Sequence, residues 1–455
     1  MAVFRKRKSF DCPREQLFDW HGRYGAIGRL VPPWEEVHVL ERMGGIADGS
    51  TVKMKVKAGP VSTEWHALHK NYNYPEEFTD VMEKGPFKEW EHRHVFFECG
   101  GGSALEDCIT YKLPFSPLSD IIAGRYVTDK LERMFSYRHR VTEGDINFIN
   151  KYKPRRLNIV VSGAGGQVGR YLVPFLTTQG HSVKRLVRRR SDSEFEFSWN
   201  PDTCEIDNCF GGCDAVIHLA GEPIGDGRWS KSKKKKITGS RVEGTRLIAE
   251  YISKMDSPPP VLICASAIGY YGDCGTEILD EHSPAGEGFI ADVCRQWEEA
   301  AKPAADRGVR VVLIRIGVAL TPSGGALQRF LPFFRMGLGC YPGRGDQVLS
   351  WVAMDDVVRG IAHCIHSEET EGAVNLTAPE QVTMKEFART LGKVLGRKAR
   401  FRIPAWLIKL IYGQMGREVL LSGARVEPKK MMDTGYEFGY PKLESALRHL
   451  LGRIL

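Results

Sequence analysis

Leu157-Asn-Ile-Val-Val-Ser-Gly163-Ala-Gly-Gly166-Gln-Val-Gly169-Arg-Tyr171 is the stretch of sequence that decides the fold. A short run of apolar, β-branched residues ends in glycines spaced three apart, and a segment of helical character follows. Gly163 permits a tight turn, Gly166 lets the backbone approach a pyrophosphate, and Gly169 lets the helix pack against the strand. The N-terminus of that helix then faces the negative phosphates. The stretch therefore predicts a dinucleotide-binding loop.

The size and composition of the chain are those of an ordinary globular protein. It has 455 residues, which is enough for two or three domains, with 42% hydrophobic and 26% charged residues. The net charge of +8 is mild for this length: it requires no nucleic-acid partner and suits an anionic cofactor. The basic N-terminus has no apolar segment behind it, and no uncharged apolar run approaches the ~18 residues of a membrane span. We therefore expect a cytoplasmic protein without a signal peptide or membrane span.

The 11 cysteines are scattered along the chain, and none forms a Cys-x-x-Cys pair. Cys204, Cys209 and Cys213 lie close together but lack histidines at zinc-finger spacing. This pattern favours reduced thiols over a disulfide framework or a cysteine-based metal site.

The chain divides into blocks with different patterns. Residues 1–145 mix strands and loops, residues 146–156 are polar and basic and predict a linker, and residues 376–455 have a mainly helical pattern. Residues 157–375 alternate strand and helix, which predicts an α/β fold with a Rossmann-type, doubly wound parallel sheet. Its predicted strands span residues 157–162, 182–187, 215–219, 261–265 and 309–316, and the helices between them span residues 167–179, 239–255 and 291–307.

The residues after the second predicted strand indicate which dinucleotide binds. Leu186-Val-Arg188-Arg189-Arg190 follows the glycine loop by roughly 20 residues, where an NAD-binding protein places an acidic residue for the ribose 2′-hydroxyl. Arginines instead suit a 2′-phosphate, so we predict NADP(H). The alternative is a solvated basic loop.

A third strand and the helix after it supply further candidates. Asp214-Ala-Val-Ile-His-Leu219-Ala220-Gly221 is a buried strand that ends in small residues, which let a ligand lie close to the backbone. Arg241, on the following helix, is placed to reach the same ligand. The lysine run at residues 231–236 is more typical of a solvated helix start than of a phosphate clamp.

Several motifs in this order resemble extended short-chain dehydrogenase/reductases. The motifs are Gly163–Gly169, Asp214–Gly221 and Trp351-Val-Ala-Met-Asp355-Asp356-Val. Further segments are similar to one subgroup of epimerase-family proteins, namely Arg228-Trp229, Gly239-Ser-Arg241, Ser266–Gly272 with Thr276-Glu277, and Phe289…Trp297-Glu298. Pro404-Ala-Trp…Val426…Thr434-Gly-Tyr resembles the small C-terminal domain of that subgroup.

The resemblance covers roughly residues 157–455 and implies NADP(H) binding. The candidate cofactor-binding residues are Gly163, Gly165, Gly166, Gln167, Val168, Gly169, Arg188, Arg189, Leu219, Ala220, Gly221, Arg241 and Ser266.

The usual catalytic pair of this family is missing. Short-chain dehydrogenases use Ser or Thr with Tyr-x-x-x-Lys, where the lysine and the cofactor lower the pKa of the tyrosine for proton exchange. If Glu298 anchors the helix, Ile290 and Cys294 occupy the two positions; a shift of one residue places Phe289 and Val293 there. Neither register supplies a phenol or an amine.

Two residues remain as catalytic candidates. Ser266 lies five residues before Tyr271, whereas the family spacing is four, where Ala267 stands; a one-residue insertion would restore Ser266. Ser266 is our first candidate and Tyr271 our second, although an acid at this strand end is more typical of a structural role. Hydride transfer itself depends on the cofactor.

The N-terminal block resembles the helix-grip fold of START-like and polyketide-cyclase-like proteins. A first strand, a helical region, several strands and a late helix over about residues 118–137 follow one another. Pro-Pro33-Trp34 and Gly85-Pro-Phe…Trp90…His92…His94 look like the N-terminal domain sometimes fused to the epimerase subgroup. The fold implies a pocket for an apolar ligand. His92 and His94 would share a strand face, but the sequence names no third ligand, so we expect a structural or pocket-lining pair and no metal.

Two functional hypotheses follow. The first is an NADP(H)-dependent oxidoreductase or epimerase that acts on a small or apolar carbonyl or sugar-like substrate. The second, motivated by the missing catalytic pair, is an NADP(H)-binding regulatory or scaffold protein with little catalysis; the resembling family includes members named as cell-division inhibitors. The sequence does not specify the substrate or the oligomeric state.

Overall fold

A computed structural model describes residues 1–58, 61–114, 118–191 and 193–453. The chain divides into two compact units. The first comprises Met1–Pro154, with Thr177–Gly180 and the residues from Leu451, and the second comprises Arg155–Leu176 and His181–Leu450. Among the described residues, no helix combines the length and the apolar character needed to cross a membrane.

The first unit is built on an antiparallel sheet. Its described elements are β1 (Ala2–Phe10), α1 (Arg14–Gly22), α2 (Ala26–Leu30), β2 (Val37–Met43), β3 (Thr51–Ala58), β4 (Val61–Asn73), β5 (Glu77–Lys84), β6 (Glu89–Cys99), β7 (Gly102–Lys112) and α3 (Leu118–Tyr152). The strand order is β1-β7-β6-β5-β4-β3-β2. Leu131 and Phe135 of α3 pack against Ile109 of β7, so the long helix covers one face of the sheet. This arrangement confirms the predicted helix-grip fold.

The long helix α3 corrects two predictions. It continues to Tyr152, beyond the predicted end near residue 137, so the linker predicted over residues 146–156 is wrong for its first seven residues. Ile146 is fully buried in a core with Phe18 and Leu105. The polar, basic residues that predicted a linker belong to the outer face of an amphipathic helix, and the non-helical connection is confined to residues 153–156.

The rest of the chain is a parallel α/β structure with a helical C-terminal region. The larger elements are β8 (Asn158–Ser162), α4 (Gly169–Thr178), β9 (Ser182–Val187), β10 (Glu196–Asn200), β11 (Glu205–Ile206), β12 (Ala215–His218), α5 (Lys231–Ser253), β13 (Val261–Ala267), β14 (Ile278–Leu279), α6 (Phe289–Glu299), α7 (Lys302–Asp306), β15 (Arg310–Ile316), β16 (Val318–Leu320), α8 (Gly325–Arg335), β17 (Gly339–Pro342), β18 (Val348–Leu349), β19 (Trp351–Ala353), α9 (Met354–His366) and β20 (Gly372–Leu376). They are followed by β21 (Val382–Thr383), α10 (Met384–Leu395), β22 (Ala399–Ile403), α11 (Ala405–Tyr412), β23 (Arg425–Val426), α12 (Lys429–Asp433) and α13 (Leu443–Leu450).

The main sheet of the second unit has the order β11-β10-β9-β8-β12-β13-β15-β20. All neighbouring pairs are parallel except β10 and β11. The chain leaves β8 toward β9 on one side and later returns to β12 on the other. This reversal opens a crevice at the carboxyl ends of β8 and β12, where such sheets bind ligands. The predicted doubly wound sheet is thus confirmed.

The C-terminal region is joined to this unit by short strand pairs. β17 pairs with β22, β18 with β21, and β14 with β23. Helix α10 begins with a capping box, in which Thr383 accepts from the amide of Glu386 and the Glu386 carboxylate accepts from the amide of Thr383.

Candidate functional site

Two glycines of the loop, Gly163 and Gly169, are packed so closely that they cannot carry side chains. Gly163 has a φ of +73°, and a Cβ built on it would lie 2.7 Å from the backbone nitrogen of Ala220. A Cβ on Gly169, the first residue of α4, would lie 2.3 Å from the carbonyl oxygen of Gly163. Gly165 has no heavy atom within 4 Å of its Cβ position. The loop therefore brings the ends of β8 and β12 together and leaves bare backbone on its open side.

Gln167 and Val168 lie just before α4, between the glycines. The carbonyl of Val168 accepts from the amide of Leu172 at 3.0 Å, so it belongs to the first helical turn. The side chain of Gln167 lies beside Gly324 and Gly325, where a Cβ on Gly325 would be 2.8 Å from its Nε2 atom. The side chain of Gln167 thus packs against the residues at the start of α8. Its position in the sequence does not reveal this contact.

The predicted 2′-phosphate residues follow β9 and are exposed. Arg189 forms an ion pair with Glu196 at 2.9 Å, although its side chain is 70% exposed. Lys233, bonded to Glu222 at 2.7 Å, holds the pKa of that carboxyl below its usual value, and the charges of Lys236 and Arg188 add to the effect. Arg188 and the start of α5 therefore form one basic region near the end of β9.

Arg241 is a buried cation beside the predicted cofactor crevice. It is 7% exposed, and its guanidinium donates to the backbone carbonyls of Glu222 at 2.9 Å and Ile237 at 3.1 Å. Its Cζ lies beside Gly221, where a Cβ would be 3.2 Å away. Burial lowers its pKa to about 10, so it stays charged at neutral pH. Within the described part of the chain no carboxylate reaches ion-pair distance of Arg241, which suits it to an anionic ligand.

Ser266 is held in a buried charged network. Its hydroxyl donates to Glu298 Oε1 at 2.6 Å, and only 3% of the residue is exposed. Arg315 binds the same carboxylate in a bidentate manner, with Nε 2.9 Å from Oε1 and Nη2 2.8 Å from Oε2. The network joins the end of β13 to α6 and β15.

Tyr271 belongs to the other side of this network. Its hydroxyl accepts from Arg315 at 2.9 Å and lies within donating distance of Asn375 Oδ1 at 2.7 Å and the carbonyl of Asp280 at 2.9 Å. The residue is fully buried, and burial raises its pKa. This environment argues against the catalytic role predicted for Tyr271 and indicates a structural one.

The positions of the missing catalytic pair are apolar in the structure. Ile290 and Cys294 of α6 pack in a buried cluster with Val293 and Trp229. Burial raises the pKa of the Cys294 thiol to about 12, so it remains protonated. Phe289 packs on Trp229 with the ring centroids 5.1 Å apart. Both registers considered from the sequence therefore place hydrophobic packing where the family carries a phenol and an amine.

Arg315 and Asn375 are residues of the site that motif reasoning missed. Arg315 is a cation within the apolar strand β15, a signal that the sequence does carry, because buried cations require partners. Asn375 lies in β20, and no spacing connects it to Tyr271, 104 residues earlier.

A cavity of about 470 Å³ lies within the first unit. Its lining is mostly apolar and includes Val52, Ala67, Phe78, Trp90, Leu131 and Met134. Such a volume and lining suit a small apolar ligand.

His92 and His94 line this cavity together with Asp80. The Oδ2 atom of Asp80 is 3.1 Å from His92 Nδ1 and 3.3 Å from His94 Nε2. Burial opposes charge on His92, but Asp80 and then Asp107 raise its pKa to about 9. The two histidines thus line the cavity as expected, and Asp80 is a third group that the sequence did not identify. Asp80 faces His92 across the pairing of β5 with β6, a register that spacing alone does not reveal.

Three family models match parts of the chain. Residues 159–377 match the NAD dependent epimerase/dehydratase family, and residues 11–136 match a family described as polyketide cyclase / dehydrase and lipid transport. Residues 403–450 match a domain of unknown function, DUF1731.

Known proteins resemble the chain over either its C-terminal two thirds or nearly its whole length. The epimerase family protein Mb2239 of Mycobacterium bovis is 36% identical over 296 residues, which cover 65% of this chain and 98% of that protein. The crystal structure of a nucleoside-diphosphate sugar epimerase from Corynebacterium glutamicum is 31% identical with a TM-score of 0.81, covering 99% of this chain and 90% of that one. The human epimerase family protein SDR39U1, solved with NADPH, is 32% identical with a TM-score of 0.61, covering 66% of this chain and all of that one.

Proposed function

Because the chain belongs to the NAD dependent epimerase/dehydratase family, we propose that its second unit is an NADP(H)-dependent oxidoreductase or epimerase acting on a small carbonyl or sugar-like substrate. The resemblances to the epimerase subgroup and to polyketide-cyclase-like proteins are confirmed by the family matches. The observation that carries the proposal is the close-packed glycine loop, which lies in the crevice between β8 and β12 beside the buried Arg241.

The residues present fit NADP(H). The bare backbone of Gly163–Gly169 suits the pyrophosphate, because amides and a helix N-terminus attract its charge. Arg241 would neutralise an anionic group close to Gly221, and Arg188 with Arg189 would bind the 2′-phosphate. The related human protein that was solved with NADPH supports this choice of cofactor. Bound NADP(H) would supply hydride acceptance and donation at its nicotinamide.

Ser266 is the residue that we propose to contact the substrate. Its hydroxyl already donates to Glu298, which Arg315 binds in a bidentate manner. Glu298 thereby orients the hydroxyl and is placed to accept its proton. Tyr271 acts through Arg315 as a positioning residue, since its hydroxyl is buried in the same network.

The test is to measure cofactor binding and hydride transfer separately. NADPH should quench or enhance the protein's fluorescence at lower concentrations than NADH. If the reaction is a reduction, deuterium from labelled NADPH should appear in the product of an apolar aldehyde or ketone. If it is an epimerisation, which returns the abstracted hydride to the same molecule, a nucleoside-diphosphate sugar should be converted to its epimer with NADP⁺ supplied. A protein that binds NADPH but gives neither outcome would contradict the catalytic part of the proposal.

One observation favours the second function, an NADP(H)-binding regulatory protein with little catalysis. In the register anchored by Glu298, Ile290 and Cys294 occupy the positions of the usual catalytic pair, and both side chains pack in an apolar cluster. The Ser266→Ala variant separates the two functions. A substrate whose turnover collapses in this variant while NADPH affinity is kept would exclude the regulatory function.

We also propose that the first unit binds an apolar ligand in its cavity of about 470 Å³. The mostly apolar lining supports this proposal, since binding would remove apolar surface of both partners from water. A fluorescent fatty-acid analogue should bind the wild-type protein, and Ala67→Trp, which fills the cavity from β4, should abolish that binding without affecting NADPH affinity.

A further inference from the structure

Three potential metal ligands converge at the wall of the first unit's cavity. The nearest donor atoms of Asp80, His92 and His94 all lie within 4.8 Å of one another. Asp80 Oδ2 is 3.1 Å from His92 Nδ1 and 3.3 Å from His94 Nε2. A metal ion that makes bonds of about 2.0–2.2 Å to each of three donors holds them roughly 3–3.5 Å apart, so the two separations fit one shared ion.

A second carboxylate, that of Asp107, lies beside both histidines and is hydrogen-bonded to His92. Asp107 Oδ1 lies 3.0 Å from His92 Nε2 and 3.0 Å from His94 Nδ1, the ring nitrogens that do not face Asp80. Its other oxygen, Oδ2, lies 2.8 Å from Nε2 of His139 on α3. In metal sites, a ligating histidine typically donates its second N–H to such a carboxylate, which fixes the tautomer and the ring orientation.

The register of the sheet places these groups on one face. Asp80 of β5 lies opposite His92 of β6, and His94 of β6 lies opposite Asp107 of β7. Asp80, His92 and His94 line the cavity, whereas Asp107 is not among its lining residues. The three potential ligands therefore face the cavity, and the Asp107 carboxylate lies behind them.

We propose that Asp80, His92 and His94 bind a divalent transition-metal ion whose remaining coordination positions open into the apolar cavity. Two imidazoles and one carboxylate favour a borderline ion such as Zn²⁺ or Fe²⁺ over Ca²⁺ or Mg²⁺, which prefer oxygen ligands. An ion bound by three protein ligands keeps a position for an exogenous donor, as catalytic rather than structural sites do. The cavity would then bind an apolar molecule that carries an oxygen donor. The site is independent of the NADP(H) site proposed above.

The competing explanation is a hydrogen-bonded network of the same side chains without an ion. A titration with Co²⁺ distinguishes this explanation from a metal site. The full-length protein, freed of metal with a chelator, is titrated with Co²⁺ and followed by its visible absorption. We expect one Co²⁺ per chain with ligand-field bands and without a thiolate charge-transfer band, because the site contains no cysteine. Azide should shift these bands if a coordination position is open.

Matched variants locate the site. His94→Ala should weaken Co²⁺ binding by at least about 100-fold, and Asp107→Asn, which removes only the supporting carboxylate charge, by about 10–100-fold. The control is His38→Ala, because His38 is an exposed histidine on β2 of the same sheet and should bind as wild type does.

The outcomes that overturn the proposal are definite. If the wild-type protein binds no Co²⁺ and Zn²⁺ does not raise its unfolding temperature, the side chains form only a hydrogen-bonded network. Co²⁺ bands that persist unchanged in His94→Ala place the ion elsewhere. If His94→Ala does not fold, Asp80→Asn, which keeps the shape of the side chain, takes its place in the titration. Bands that azide leaves unchanged overturn the open coordination position.

Discussion

Replacing Arg315 with methionine should destabilise the protein strongly, because the buried carboxylate of Glu298 would lose its cationic partner. Arg315 and Glu298 have side chains that are only 4% and 11% exposed, and two charge-assisted hydrogen bonds join them. Breaking a buried pair by removing one partner costs about 3–5 kcal/mol, since the remaining charge loses its compensation. At roughly 2–4 °C per kcal/mol, the midpoint of thermal unfolding should fall by roughly 6–20 °C.

The double variant Arg315→Met/Glu298→Gln tests the cause of that loss. Glutamine at position 298 removes the unpaired negative charge and can still accept the hydrogen bond of Ser266. The double variant should therefore recover at least half of the stability lost by Arg315→Met. The matched control is Lys429→Met, which breaks the exposed ion pair with Asp433 and should cost less than about 1 kcal/mol.

The measurement is the thermal unfolding, by calorimetry, of wild type, Arg315→Met, the double variant and Lys429→Met. If Arg315→Met costs no more than Lys429→Met, or if adding Glu298→Gln lowers stability further, the network is not held together by this ion pair. The proposed orientation of Ser266 by Glu298 would then lose its physical basis.

Three further predictions concern the crevice. Gly169→Ala should abolish NADPH binding and lower the unfolding temperature, because its Cβ would lie 2.3 Å from a backbone oxygen, whereas Gly165→Ala should leave the unfolding temperature unchanged; equal unfolding temperatures for the two variants would contradict the packing argument. Replacing Arg188 and Arg189 with alanine should weaken NADPH binding much more than NADH binding in parallel titrations, and equal losses would refute the 2′-phosphate assignment. Burial lowers the pKa of His218 to about 3 from an ordinary 6.5, so this residue is neutral in the folded protein and takes up a proton mainly on unfolding. Above pH 6.5 this shift costs the folded protein no stability. As the pH falls from 6.5 toward 3, the free energy of unfolding decreases, by about 2 kcal/mol at pH 5. Urea unfolding at pH 7.5 and pH 5 should therefore show a smaller difference in the free energy of unfolding for His218→Gln than for wild type.

The cofactor crevice could be predicted from the sequence because its determinants are local. Gly163, Gly166 and Gly169 belong to one turn, and their spacing reflects contacts between neighbouring residues in the chain. The two registers considered, Ile290 with Cys294 and Phe289 with Val293, likewise showed from the sequence alone that the usual catalytic pair is missing. Sequence reasoning failed over α3, where a polar, basic stretch predicted a linker although Ile146 anchors that stretch in the core.

Residues far apart in the chain behave differently. Tyr271 was a catalytic candidate by spacing, but Arg315 and Asn375 hydrogen-bond its hydroxyl, which favours the positioning role proposed above. Asp80 and His92 are twelve positions apart and become neighbours only through the pairing of β5 with β6.

The sequence by itself therefore determined the two-part architecture, the dinucleotide-binding loop and the missing tyrosine and lysine. These features rest on short-range rules of periodicity, turn geometry and residue size, which any segment carries within itself. The tertiary structure alone decided which polar side chains are buried together, namely Ser266 with Glu298, and Asp80 with His92 and His94. The physical reason is that strand register and helix packing are set by the burial of the whole core, and a buried polar group must then find its partner across elements that the chain order does not relate.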